Sequence, residues 1–180
     1  RCWGSDSYGQ LGNGGANTNS GVPVTPAPGT VTASAAGGDV SCSFISGGSV
    51  KCWGADDFGQ LGDNASLTSQ ISPTTVSGLA NVTSIKLGLK HGCALTATNT
   101  VNCWGRDSYG QLGDSAALTD QATPVAVSGL SGVSAIGVGE NHSCGVLSTG
   151  LVYCWGQNGS SQLGDVSTTN QPTPVLVQGL

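Results

Sequence analysis

"CWGRDSYGQLGD", residues Cys103–Asp114, joins a cysteine, a tryptophan and a Gly-Gln-Leu-Gly turn, and close copies of it occur three more times. The copies begin at Cys2, Cys52, Cys103 and Cys154, giving steps of 50, 51 and 51 residues. Seven residues after each cysteine stands Gly-Gln-Leu-Gly, with Ser161 replacing the first glycine in the last copy. A proline-led stretch follows each turn, at Pro23, Pro73, Pro124 and Pro174. Beyond it, "SGLANVTSIKLGLKHGCAL" is matched by "SGLSGVSAIGVGENHSCGV". A fixed period of this length marks a repeat architecture.

Each unit carries four β signals: an alternating run (Val82–Leu87, Val133–Val138), a short run after Cys93 or Cys144, the run into Cys-Trp-Gly, and the proline-led stretch. Val, Ile, Thr and aromatics fill these runs, while Gly, Asn, Asp and Ser fill the gaps. No segment shows a 3.6-residue apolar period long enough for a helix. The expected fold is all-β, with β-propeller blades of four antiparallel strands and about three and a half repeats of ~51 residues. The units are read as a partial blade 1–29 and repeats 30–78, 79–129 and 130–180.

Cys42 and Cys52, Cys93 and Cys103, and Cys144 and Cys154 are each ten apart. If each pair faces across a hairpin, a three-residue loop fits: Ser46-Gly47-Gly48, Ala97-Thr98-Asn99 and Ser148-Thr149-Gly150. The third residue is then Gly48, Asn99 or Gly150, types that tolerate the left-handed backbone such loops need. Counting outward, each pair falls on a non-hydrogen-bonded position, where Cα atoms approach to ~4.5 Å. Three cross-strand disulfides are the expectation, with zinc sites, which favour closer spacings and four ligands, and free thiols as the rivals. Disulfides imply an oxidising, extracytoplasmic compartment. Cys2 is left unpaired or with an external partner, and the repeat phase leads us to expect a longer propeller polypeptide.

Composition excludes several classes. Charged residues are 8% of 180, and five Lys+Arg against ten Asp+Glu give a net charge of −5. Phosphate binding depends on clustered cations, so nucleic acid is not an expected partner. No apolar run approaches the ~20 residues of a membrane-spanning helix. No G-x-S-x-G, P-loop or H-E-x-x-H motif occurs.

Gly88, His91, Ala94, Leu95, Val101, Trp104, Gly105 and Gly110–Gly113, matched by Gly139, His142, Gly150, Val152, Trp155, Gly156, Asn158 and Gln162–Gly164, resemble the regulator of chromosome condensation repeat family. The resemblance spans the whole chain and implies part of a seven-bladed propeller. Val40 stands where the other units have His91 and His142, and Asp6, Asp56 and Asp107 replace the family's usual Asn. The paired cysteines look like a bacterial secreted subtype. The family includes secreted propellers that bind and inhibit a bacterial hydrolase, so the resemblance implies protein recognition through one propeller face.

Trp3, Trp53, Trp104 and Trp155 could ring a ligand, but one tryptophan per repeat suits packing between sheets. Asp56 with Asp63, and Asp107 with Asp114, recur seven apart and suggest calcium. Two carboxylates per repeat are few for that ion, and turn stabilisation is the expectation. His91 and His142 precede cysteines assigned to disulfides, so no Cys–His nucleophile is expected. Tyr8, Phe58 and Tyr109 recur before the Gly-Gln-Leu-Gly turn, as turn packing or as weak binding candidates. Asn-x-Ser/Thr matches at Asn64, Asn81, Asn141 and Asn158 are weak glycan signals.

The expected function is a non-enzymatic extracellular protein-binding, adhesion or structural module, secreted or at the cell surface. It has no catalytic residue, metal or cofactor, and it takes a protein partner or its own copies. The alternatives are a building block of a head-to-tail extracellular filament or sheath, and a non-catalytic repeat domain of a larger secreted enzyme.

Overall fold

Short runs of Val, Ile, Ser and Thr, broken by glycine-rich turns, can bury apolar side chains only by pairing into sheets, and the computed structural model shows how they pair. It describes all of residues 1–180 except Ala16, Ala27, Pro28, Gly47 and Ala117. β1 (Cys2–Gly4) and β2 (Ser20–Val24) form a two-stranded sheet. Three four-stranded sheets follow: β3 (Val31–Gly37), β4 (Val40–Ile45), β5 (Ser49–Gly54) and β6 (Gln70–Thr75); β7 (Val82–Leu87), β8 (His91–Thr96), β9 (Val101–Gly105) and β10 (Gln121–Ala126); and β11 (Val133–Val138), β12 (His142–Leu147), β13 (Val152–Gly156) and β14 (Gln171–Leu176). Each is an antiparallel meander in chain order, so the chain makes three complete blades and a half-blade.

The first strands β3, β7 and β11 lie beside one another, and the proline-bearing β6, β10 and β14 are the outer edges. Proline lacks the N–H a central ladder needs, so Pro73, Pro124 and Pro174 suit only an edge. Blade pairs share one core. Val40, Cys42, Val50, Cys52, Leu61 and Val76 of one blade pack with Ile85, Ala94 and Trp104 of the next. Cys93, Leu95, Val101, Cys103, Leu112 and Val127 likewise pack with Leu130, Val133, Ile136 and Trp155.

The hairpins have the register the cysteine spacing requires. Cys42 faces Cys52, Cys93 faces Cys103 and Cys144 faces Cys154. Each pair is a disulfide with its Cα atoms 4.1 Å apart. Gly48, Asn99 and Gly150 take φ of 86°, 60° and 91°, closing the loops through the left-handed region. Gly47 of the first loop lies outside the described residues. Cys2 is half-buried and free.

Candidate functional site

The seam between blades is built from the recurring stretch itself. In each seam the indole N–H of one blade's tryptophan donates to the glutamine carbonyl of the preceding blade's turn: Trp53 to Gln10 at 2.9 Å, Trp104 to Gln60 at 2.9 Å, Trp155 to Gln111 at 3.0 Å. A Cβ on Gly113, whose φ is +70°, would lie 2.7 Å from the Trp155 indole nitrogen, so only glycine fits under the ring. Ser41 and Ser143 donate second hydrogen bonds to the Gln10 and Gln111 carbonyls, at 2.9 and 3.1 Å. Gly92 holds the same place in the middle seam, where a Cβ would strike Trp104. The tryptophans at 53, 104 and 155 are therefore packing residues. Trp3 differs: it is 65% exposed.

His91 crosses a seam as well, its Nε2 lying 2.9 Å from Ser143 Oγ. Ser143 gives its own proton to the Gln111 carbonyl, so His91 donates through Nε2 and its buried Nδ1 has no partner. Burial, and after it the nearby His142, holds the His91 ring down at about 3. The neighbouring Cys93 is tied to Cys103, so this histidine has no free thiolate to activate. Val40 in the first full blade occupies the histidine position and is buried in the core, opposite the blade that carries Gly92 in place of serine.

The recurring acid of the turn caps it from inside. Oδ1 of Asp6, Asp56, Asp107 and Asn158 accepts from the backbone N–H of Leu11, Leu61, Leu112 and Leu163 at 2.8–3.0 Å. In the last blade the Asn158 amide nitrogen also donates to Asp165 Oδ1 (2.9 Å), Ser167 O and Ser167 Oγ (both 3.1 Å). Asp56 and Asp107 put an oxygen there instead, and their Oδ2 atoms are buried without a partner. Burial pushes Asp56 up to about 7 against the pull of the Leu61 amide, with Asp63 and Asp57 adding repulsion. Burial likewise pushes Asp107 up to about 6 against the Leu112 amide, with Asp114 and Asp120 adding repulsion. Asp63 and Asp114 meanwhile bind the amides of Ala65 and Ala116 in their own turns.

Two of the three aromatic candidates meet cations. Lys90 Nζ sits 4.5 Å from the Phe58 ring centre, and the Arg106 guanidinium 5.1 Å from Phe58 and 6.0 Å from Tyr109. Lys90 lies in the β7–β8 turn and Arg106 directly follows β9, with the Arg106 N–H donating to the Lys90 carbonyl at 2.9 Å. Arg106 Nε is fixed on Ser108 Oγ at 2.8 Å. Sequence reading missed both cations, and their signal was a break in the repeat: the corresponding pairs are Asp39 with Ala55 and Asn141 with Gln157. Tyr8, 41% exposed, stands apart from this group.

A cleft of about 500 Å³ lies between the half-blade and the first full blade, lined by Trp3, Leu11, Val40 and Trp53 among others. No helix among the described residues is long and apolar enough to cross a membrane.

Three four-stranded blades and a half-blade, joined by tryptophan–glutamine seams and stapled by disulfides, define a β-propeller repeat module. The profile of the regulator of chromosome condensation (RCC1) repeat matches residues 47–95, 99–146 and 149–180, and a second profile of the same repeat matches 82–111 and 133–162. The chain belongs to this repeat family, whose propeller is a protein-binding fold. It is 37% identical over 101 residues to the human E3 ubiquitin-protein ligase HERC2, covering 55% of this chain and 2% of that protein. It is 30% identical over 112 residues to the human probable E3 ubiquitin-protein ligase HERC4, covering 60% of this chain and 11% of that protein. Among solved structures, human WBSCR16 superposes with a TM-score of 0.85 at 25% identity, over 98% of this chain and 48% of that one. Saccharomyces cerevisiae Prp20p, described with its binding to Gsp1p and histones, gives a TM-score of 0.85 at 20% identity, over 98% of this chain and 45% of that one. The chain thus spans about half of these propellers and a small part of the ligases.

Proposed function

We propose that the chain is a non-enzymatic protein-binding module of an oxidising, extracytoplasmic compartment, secreted or displayed at a cell surface. The observation that carries this reading is one disulfide in every four-stranded sheet. A reducing cytoplasm would keep such pairs as thiols. Recognition is assigned to the loop face with Phe58 and Tyr109, because loops can vary between blades without disturbing the tryptophan–glutamine contacts. Protein partners of Prp20p, a propeller of the same fold, support a protein as the class of ligand. The test has two arms on material from the native source. Peptide mapping under non-reducing conditions is expected to find Cys42–Cys52, Cys93–Cys103 and Cys144–Cys154. A pull-down from the same compartment is expected to retain a protein that the Phe58→Ala/Tyr109→Ala variant loses. Thiols in the first arm overturn the compartment, and retention of the protein by the variant overturns the face.

A further inference from the structure

The repeat treats one carboxylate in two ways. At the first seam the Gln10 side-chain amide, Nε2, donates to Asp39 Oδ1 at 3.2 Å. At the second seam the residue in the place of Asp39 is Lys90, and Gln60, 2% exposed, has its Nε2 buried without any hydrogen-bond partner. Gln60, Lys90 and Gly105 are in close contact: a Cβ on Gly105 would lie 2.6 Å from the Lys90 carbonyl and 3.3 Å from the Gln60 Cα. Arg106 follows Gly105 in the chain. The second seam thus combines an unsatisfied amide donor, an ammonium and a guanidinium, where the first seam supplies its own acid.

Among the described residues neither Lys90 nor Arg106 pairs with a carboxylate, although acidic residues outnumber basic ones ten to five. Both rest on aromatic faces, which hold cations without consuming their hydrogen-bond donors. Ser108 takes Arg106 Nε and leaves the terminal guanidinium nitrogens free to grip a carboxylate side-on. The third seam has the same unpartnered amide, Gln111 Nε2, but no cation: Asn141 and Gln157 stand in the places of Lys90 and Arg106, and Asn141 Nδ2 donates to Gln157 Oε1 at 3.2 Å. The cation pair departs from the repeat in a single blade, so the scaffold does not require it.

We propose that Gln60, Lys90 and Arg106, framed by Phe58 and Tyr109, form a carboxylate-binding notch that receives a Glu or Asp side chain from a protein partner. The inference rests on the protein-binding reading above and names the chemistry of its anchor. The bound carboxylate replaces the missing acid of the repeat, with Lys90 and Arg106 closing over it and the Gln60 amide donating from below. Charge-assisted bonds at a partly desolvated aromatic site are the kind that dominate protein–protein affinity.

The probe is a capped Gly-Glu-Phe-Glu-Gly peptide titrated into isotope-labelled protein, with its Glu→Gln copy and a single-stranded thymidine oligonucleotide as controls. The Glu peptide is expected to move the Lys90 and Arg106 amides and the Gln60 side-chain NH2 signals saturably, and the Gln copy is not. Arg106→Gln is expected to weaken binding about tenfold, the size of one charge-assisted contact, and Arg106→Lys less. Unchanged thermal unfolding of both variants shows that they are folded. Equal binding of the Gln copy, no movement of these signals, or undiminished binding by Lys90→Gln/Arg106→Gln overturns the notch. Tighter binding of the oligonucleotide at the same signals overturns the protein carboxylate as its ligand. A native partner still retained by the folded double variant would leave the protein-binding reading standing and remove only the notch.

Discussion

Asp56 and Asp107 occupy a position where asparagine satisfies both halves of its side chain and a carboxylate satisfies one. Each keeps Oδ1 on a leucine amide and buries Oδ2 without a partner, so the ionised form leaves a buried charge uncompensated where Asn158 makes hydrogen bonds through its amide. The consequence for stability has a definite sign. Both folded-state pKa values lie above the ordinary 3.8, so the folded chain binds extra protons over that interval. The stabilisation is complete below the ordinary value and is lost as pH rises through about 6 at Asp107 and about 7 at Asp56. Asp56→Asn/Asp107→Asn is therefore expected to raise the unfolding temperature at alkaline pH, gaining about 1–3 kcal/mol per relieved buried group, and to flatten its pH dependence. Thermal unfolding of both proteins across pH 5–8 checks this, and parallel curves would contradict it. The residue pattern showed the Asn-to-Asp exchange. It could not show that Oδ2 is sealed, because burial there depends on how the turn folds over itself.

At the scale of strands and turns, the hairpins and their cysteines were legible because their geometry is local: a spacing of ten, a three-residue loop and one left-handed residue fix the register. The seams were not. Trp104 and the Gln60 carbonyl are 44 residues apart, and Lys90 and Phe58 belong to different blades. Such neighbours arise only when one blade is stacked on the next, and periodicity gives the step without the offset. The seams differ in a way that can be measured. In Trp155→Phe the Gln111 carbonyl keeps its bond from Ser143; in Trp104→Phe the Gln60 carbonyl loses its indole donor where Gly92 has no hydroxyl. Denaturant unfolding is expected to find Trp104→Phe the more destabilising by about 1 kcal/mol, the worth of a lost hydrogen bond. Equal losses would mean that ring volume alone sets the cost. The turn glycines offer a matched pair. Gly113 and Gly129 have φ of +70° and +68°, but only at Gly113 does a Cβ meet an indole. Gly113→Ala is expected to cost about 1–3 kcal/mol more than Gly129→Ala, because it adds overpacking to the same backbone strain.

The whole molecule is a row of units that touch only their neighbours, so its stability is a sum over blades and seams. β6, β10 and β14 are the edges of their sheets, whereas β8 and β9 lie inside a sheet between two blades and are buried along most of their length. Hydrogen exchange is expected to be faster in β6, β10 and β14 than in β8 and β9. Uniform protection along the chain would show that it opens as one body. The tryptophans of the three complete blades give this arrangement an optical readout. Trp53, Trp104 and Trp155 are sealed against the preceding turn. Acrylamide should therefore leave these three indoles dark to it while the blades stay docked. Any of the three that becomes quenchable reports that its seam has opened.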